Sequence, residues 1–191
     1  MSTAAVDYGW GWDALLRTWQ QLDVPEGWRA EIVEEGIRMT PPGNGHNVIA
    51  GRVHRALLGV ISQDWDVYQT LAISVVSMRR LYEPDLVVVP VAELSGRPES
   101  EPVPGDRARL AVEIVSKSNA RMDRVEKLRA YAIAPVPLYL LIDRFADSGP
   151  SVTLFSEPLD GHYRHSEQVP FGAKITLPEP FGLVLDTKEF D

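Results

Sequence analysis

Two β-branched apolar runs, each with a carboxylate set inside it, constrain this chain more than any other feature. They are Tyr82-Glu83-Pro84-Asp85-Leu86-Val87-Val88-Val89 and, further on, Leu110-Ala111-Val112-Glu113-Ile114-Val115-Ser116. Runs of this composition read as buried strands. A carboxylate taken out of water loses several kcal/mol of hydration unless a cation or hydrogen bonds compensate. The fold must therefore bring compensating charge to both acids, and a shared divalent cation is the most economical source. Plainer readings stand beside that one. Asp85 follows Pro84 and fits a solvated strand rim, while a salt bridge to Arg38 or Arg52 would account for Glu113.

Composition narrows the function classes. A chain of 191 residues suits one compact domain over 1–191, or a domain with an appended hairpin. The absence of cysteine removes disulfides, thiolate metal sites and a cysteine nucleophile, and leans toward a reducing compartment. Residues 1–10 carry neither a basic nor an apolar leader segment, and no apolar run reaches the ~18 residues of a membrane span. A cytoplasmic protein without membrane contact is expected. The net charge of −8 argues against tight non-specific DNA binding by the isolated chain. A nuclease remains compatible, because bound cations and local basic patches offset clustered acids.

Along the chain, Asp13 to Gln21 has helical spacing and ends before the breaker cluster Val24-Pro25-Glu26-Gly27. Trp28 to Met39 reads as a hairpin turning at Glu34-Glu35-Gly36, followed by the rigid loop Thr40 to Gly45. A helix is expected from His46 to Ser62, with Val48, Ile49, Val53, Leu57, Leu58 and Val60 as its apolar stripe. Strands follow at Trp65 to Val76, Glu83 to Val89 and Arg109 to Val115, with an exposed loop from Ser95 to Asp106. Ser118 or Asn119 can cap a helix from Arg121 to Ala134, which Pro135 and Pro137 stop. Leu138 to Ile142 is a further apolar strand ending at Asp143. The helix between it and the Glu113 strand predicts a right-handed crossover and a locally parallel pair. The tail turns antiparallel: Ser151 to Ser156, a turn near Leu159-Asp160-Gly161, Tyr163 to Val169, and short strands near Ile175 and Leu183. The class is α/β (α+β), a mixed sheet flanked by helices.

On the helix after Glu113, Asp123, Lys127 and Tyr131 stand at i, i+4 and i+8 and share one face. The apolar stripe Met122, Val125, Leu128 and Ala132 lies roughly opposite, so periodicity alone favours a solvent-side Asp–Lys pair. Ala130 and Ala134 make the Lys127 side apolar as well. His46 follows a Pro/Gly loop at a helix start and His54 lies two turns on, whereas His162 and His165 fall in the late hairpin. No His-x₃-His or Glu-x-x-His spacing makes a transition-metal site, and no phosphate-binding glycine loop or nucleophile elbow is present. Two carboxylates with backbone carbonyls and water suit Mg²⁺ or Mn²⁺ better than zinc.

Taken in order, these motifs resemble the Uma-type restriction endonuclease family, within the PD-(D/E)XK nuclease superfamily. The resemblance runs through Ala30-Glu31-Ile32-Val33-Glu34-Glu35-Gly36, Pro41-Pro42 with His46, Pro84-Asp85, and Glu113-Ile114-Val115-Ser116-Lys117-Ser118. It continues in Asp123-x₃-Lys127-x₃-Tyr131 and Val136-Pro137-x-Tyr139-x₂-Ile142-Asp143, and spans residues 12–186. It implies a restriction-endonuclease-like core with an N-terminal hairpin and C-terminal antiparallel strands. Asp85 and Glu113 match the first and second acids. Val115 occupies the superfamily's usual lysine position, and Lys127 takes over that role, with Asp123 and Tyr131 on its face. Glu31 and His46 match positions of supporting or metal-proximal contact. Lys117, where a proline is common, keeps strand parity with Glu113 and rivals Lys127. Ala134-Pro135-Val136 replaces the usual Ala-Gly-Val.

The expected function is Mg²⁺-dependent hydrolysis of phosphodiester bonds in DNA, with the cation held by Asp85, Glu113 and the carbonyl of Ile114. A homodimer is the expected assembly. The alternative is a catalytically weak or inactive nuclease-fold protein acting as a dimeric binding or regulatory module. A metal hydrolase of small phosphate esters is the third reading.

Overall fold

A computed structural model describes residues 11–34, 36–41, 44–117 and 119–190, without the side chains of residues 44 and 45. Glu35 in the hairpin turn, Pro42 and Gly43 in the rigid loop, Ser118 as a helix cap, and the leader region 1–10 lie outside the described residues.

The chain builds two main sheets. One holds β1 (Arg29–Val33), β2 (Gly36–Thr40), β4 (Ile73–Val75), β5 (Arg80–Tyr82) and β7 (Val103–Pro104), in the order β2-β1-β5-β4-β7. The other holds β3 (Trp65–Tyr68), β6 (Leu86–Pro90), β8 (Leu110–Ile114), β9 (Leu138–Asp143), β10 (Ser151–Leu159) and β11 (His162–Pro170), in the order β11-β10-β9-β8-β6-β3. A two-stranded ribbon of β12 (Lys174–Leu177) and β13 (Leu183–Asp186) completes the strands. The helices are α1 (Trp12–Gln20), α2 (Asn44–Leu58) and α3 (Leu128–Ile133), the last preceded by a π-helical segment, Met122–Lys127. No helix among the described residues is long and apolar enough to cross a membrane.

The six-stranded sheet is covered on both faces, which explains its continuous apolar strands. On one face Leu86, Val88, Leu110, Val112, Leu140 and Ile142 pack with α2 and the β12–β13 ribbon. On the other, Val87, Val89, Ala111, Tyr139 and Leu141 pack with the α3 helix and the second sheet. Helix α1 lays Leu15, Leu16 and Trp19 on Ile32 and Leu81, and Trp19 Nε1 donates to the Ala30 carbonyl at 2.6 Å. The expected parallel pair is β8 with β9, while β6 and β10 flank it antiparallel. The turn between β10 and β11 is a two-residue loop in which Asp160 (φ 51°) and Gly161 (φ 77°) are both left-handed. That is the hairpin geometry an Asp-Gly pair favours.

Several boundaries differ from expectation. The single strand Trp65 to Val76 is two strands in different sheets, because the chain bends at Gln69–Ala72 with Thr70 at φ 56°. A β-branched residue in that conformation is uncommon and leaves no pattern in the sequence. Strand β5 was not expected at all, and the loop Ser95 to Asp106 contributes the short β7. Helix α2 buries Ile49, Ala50, Val53 and Leu57, whereas Val48, Leu58 and Val60 are exposed.

Candidate active site

Alternation along the strands decides where the acids point. Val87 and Ala111 belong to the layer shared with α3 and the second sheet, so Asp85 and Glu113, of the same parity, project into that layer. Leu86 pairs with Val112, and one further step along the register brings Asp85 opposite Glu113. Asp85 itself lies just before β6, because Pro84 has no N–H for a ladder. Its carboxylate finds a donor regardless: Oδ2 accepts the Ile114 N–H at 2.6 Å. From the second sheet, Arg29 and Glu31 share the parity of Val33 on β1 and face the same layer.

Together with His46, Ile114, Ser116, Asn119, Asp123, Lys127 and Arg144, these residues line a cavity of about 330 Å³. Neither acid sits at a solvated rim: Asp85 is 6% exposed and Glu113 2%. The charge partner of Glu113 is Lys127, whereas Arg52 pairs with Glu189 at the surface. Lys127 Nζ lies 2.9 Å from Glu113 Oε1, 2.9 Å from Glu31 Oε1 and 3.5 Å from Asp123 Oδ1. The Tyr131 hydroxyl donates to Glu113 Oε1 at 2.8 Å, and Glu31 Oε1 accepts the Glu83 N–H at 3.1 Å. Asp85 is held by Arg29, whose guanidinium bonds Oδ1, and by His46 Nε2 at 2.5 Å from the same oxygen. The cation demand of two buried carboxylates is thus met here by the ammonium of Lys127 and the guanidinium of Arg29.

The Asp123–Lys127 pair is not on the solvent side, as helical periodicity favoured. Lys127 is 3% exposed and Asp123 4%, while Val125 of the supposed apolar stripe is 57% exposed. The π-helical segment from Met122 to Lys127 is the reason: its i→i+5 bonding changes the rotation per residue, so an α-helical wheel assigns the wrong face. Lys117 lies beyond the end of β8, so strand parity no longer governs it. It is exposed, outside the cavity lining, with its ammonium 5.3 Å from the Phe145 ring centre.

Burial sets the electrostatics. It pushes Glu113 well above the ordinary carboxylate range despite Lys127, with Asp85, Asp123 and Glu31 adding repulsion. Burial likewise raises Asp123 to about 6, opposed by Lys127. For Asp85 burial is outweighed by the His46 hydrogen bond and the Arg29 charge, and its carboxyl falls below its usual value. Lys127 is driven up in turn: burial disfavours its charge, but Glu113, Glu31 and Asp123 more than reverse that.

The structure therefore brings together Asp85, Glu113, Lys127, Glu31, His46, Asp123 and Tyr131, and leaves Lys117 outside. Sequence reading missed Arg29 and Arg144. The first was legible, since two residues before Glu31 on a strand means the same face; the second directly follows Asp143 at a strand end. Among the described residues no three His, Asp or Glu side chains converge as a preformed metal cage. Mg²⁺ commonly takes only one or two carboxylates and completes its shell with water, so the oxygen donors Asp85, Glu113 and the Ile114 carbonyl fit it.

Comparison with known proteins follows the same line. A family model, Uma2, described as "putative restriction endonuclease", matches residues 16–188. Among solved structures, a "putative nuclease belonging to DUF820" from Anabaena variabilis ATCC 29413 aligns at a TM-score of 0.68. It is 17% identical, over 95% of this chain and 97% of that one, so the likeness is one of fold. No curated protein matches.

Proposed function

We propose that this chain, which belongs to the Uma2 family, is a divalent-cation-dependent nuclease that hydrolyses phosphodiester bonds in DNA. One observation carries the reading. Two buried carboxylates from neighbouring strands open into one cavity, with a buried lysine bonded to the second of them. Asp85, Glu113 and the Ile114 carbonyl would hold Mg²⁺ or Mn²⁺. The bound cation would supply Lewis acidity toward the phosphoryl oxygen and lower the pKa of a coordinated water.

The remaining work falls to the chain's own side chains. Lys127, surrounded by three carboxylates, keeps its proton and presents fixed positive charge to the phosphorus centre as negative charge develops there. Tyr131 and Lys127 fix the Glu113 carboxylate, and His46 and Arg29 orient Asp85. Arg29 and His46 must both withdraw from Oδ1 for that oxygen to serve as a ligand.

Cleavage of a labelled DNA duplex in Mg²⁺ against EDTA tests the reading, with a matched RNA run in parallel. Asp85→Asn and Glu113→Gln should abolish Mg²⁺-dependent cutting while leaving the fold intact; unchanged cutting in both overturns the site assignment. A second reading, a dimeric binding module without activity, is favoured by the placement of Arg29 on Asp85 and by the net charge of −8. Calorimetry separates the two, because a decayed site takes up no Mg²⁺ or Mn²⁺ that depends on those acids. Sizing by light scattering tests the dimer.

A further inference from the structure

The acidic floor of the cavity has a basic neighbour that the cleavage chemistry does not use. At the end of β9, Arg124 is fully anchored: its guanidinium clamps both oxygens of Asp143, at 2.7 and 3.1 Å, and donates to the Phe145 carbonyl at 2.8 Å. Arg144, the next residue after Asp143, is held quite differently. It lines the cavity with Asp85 and Glu113, yet its Nε is buried and has no hydrogen-bond acceptor among the described residues. Its contact is with an aromatic face, the guanidinium lying 5.2 Å from the centre of the Phe145 ring. Lys117 places its ammonium 5.3 Å from that same centre. Neither cation has a carboxylate within ion-pair distance among the described residues.

Resting on the nuclease reading, we infer that Arg144 and Lys117, gathered on the Phe145 ring, form a subsite for a backbone phosphate of the nucleic-acid strand, beside the phosphate that is cut. Two like charges on one ring repel, and the ring's attraction of roughly 0.5–2 kcal/mol per cation offsets that only in part. A buried guanidinium N–H without an acceptor is a further standing penalty. An anion held by both cations relieves the repulsion. A phosphodiester suits the arrangement, because an arginine fork meets two phosphate oxygens at once and a lysine supplies a mobile point charge. The subsite also answers an objection raised by the overall charge: a chain at −8 needs a local basic foothold to hold a polyanion next to the four acidic side chains that line the cavity, Glu31, Asp85, Glu113 and Asp123. Lys117 thereby acquires a role distinct from that of a catalytic lysine.

The test is fluorescence anisotropy of a labelled oligonucleotide duplex, run in EDTA and in Mg²⁺ across a salt series. Arg144→Gln keeps length and hydrogen bonding but loses charge. It should weaken binding about ten-fold and flatten the slope of log affinity against log salt by about 0.9. Lys117→Gln added to it should flatten the slope by a similar step, whereas Arg144→Lys should retain most of the salt dependence. Arg129→Gln, on the exposed outer face of α3, should change nothing. Thermal melts of each variant separate lost binding from lost fold. If wild type binds but Arg144→Gln and the double variant match it in affinity and slope, the subsite is wrong and the nuclease reading stands. If wild type binds no oligonucleotide in either buffer, the nucleic-acid reading falls and takes the subsite with it.

Discussion

Replacing Lys127 by methionine isolates the charge at the centre of the site. Methionine keeps an unbranched apolar stem of similar length, so the packing change should stay below about 1.5 kcal/mol. The electrostatic change is larger. Lys127 Nζ lies 2.9, 2.9 and 3.5 Å from three carboxylates and is almost wholly buried. At an effective dielectric near 20, one such contact is worth about 5 kcal/mol before desolvation. Breaking a buried pair by removing one partner costs about 3–5 kcal/mol, and here three acids lose their common cation. A loss in the upper half of that range is expected at neutral pH. The pH dependence fixes the cause. Asp123 already titrates near 6, above its ordinary 3.8, and Glu113 is displaced in the same direction. A carboxyl raised in the folded state contributes stability that is complete below its unfolded pKa and is lost as pH rises through the folded value. Without Lys127 both acids move higher still, so the variant's deficit should be greatest near pH 8 and shrink toward pH 5 as the site takes up protons. Urea unfolding followed by tryptophan fluorescence measures it. A deficit under about 1 kcal/mol, or one that does not change with pH, would falsify the picture of ionised acids balanced by Lys127.

Other outcomes follow from single contacts. Arg29→Gln leaves Asp85 Oδ1 with His46 alone of its two side-chain partners and should tighten Mg²⁺ binding about ten-fold by calorimetry, given the usual worth of a charge-assisted bond; unchanged or weaker uptake removes Arg29 as the competitor. Glu83 is raised by burial to about 7, so it destabilises the fold progressively from its ordinary 4.5 up to 7. Glu83→Gln should therefore gain on wild type between about pH 5 and 8, by at most about 3 kcal/mol, and an advantage that falls with rising pH would contradict the assignment. A Cβ at Gly105 would sit 2.6 Å from the Ala134 Cβ, so Gly105→Ala should cost about 1–3 kcal/mol in a thermal melt; a neutral result means the helix end is free to shift.

Much of this was legible from residues alone. The apolar runs at β6, β8 and β9 announce strands covered on both faces, and a helix between two of them implies their parallel pairing. Glu113 stands out because nothing else in its run is charged, whereas Asp85 shares the start of its run with Glu83. What stayed hidden depended on geometry without a residue signature. The π-helical stretch rotates Lys127 into the cavity although its sequence reads as an ordinary α-helix. The bend at Thr70 moves the chain from one sheet to the other without a glycine or proline. Arg29 shares a strand face with Glu31, but the hairpin's turn does not say which of its faces meets the other sheet.

The hydrogen bond from the Ile114 N–H to Asp85 Oδ2 carries an evolutionary consequence. Ile114 is buried, and the ladder between β6 and β8 has ended by that point, so its N–H would otherwise lack a partner. Asp85 therefore closes the edge of a strand pair whether or not it ever meets a metal. A relative without nuclease activity would still be under pressure to keep an acceptor there, and asparagine would serve as well as aspartate. Finding an acid at this position in a related protein is accordingly weak testimony that the relative is an active enzyme. On the proposed function, a change to asparagine would mark the loss of catalysis better than the loss of the fold.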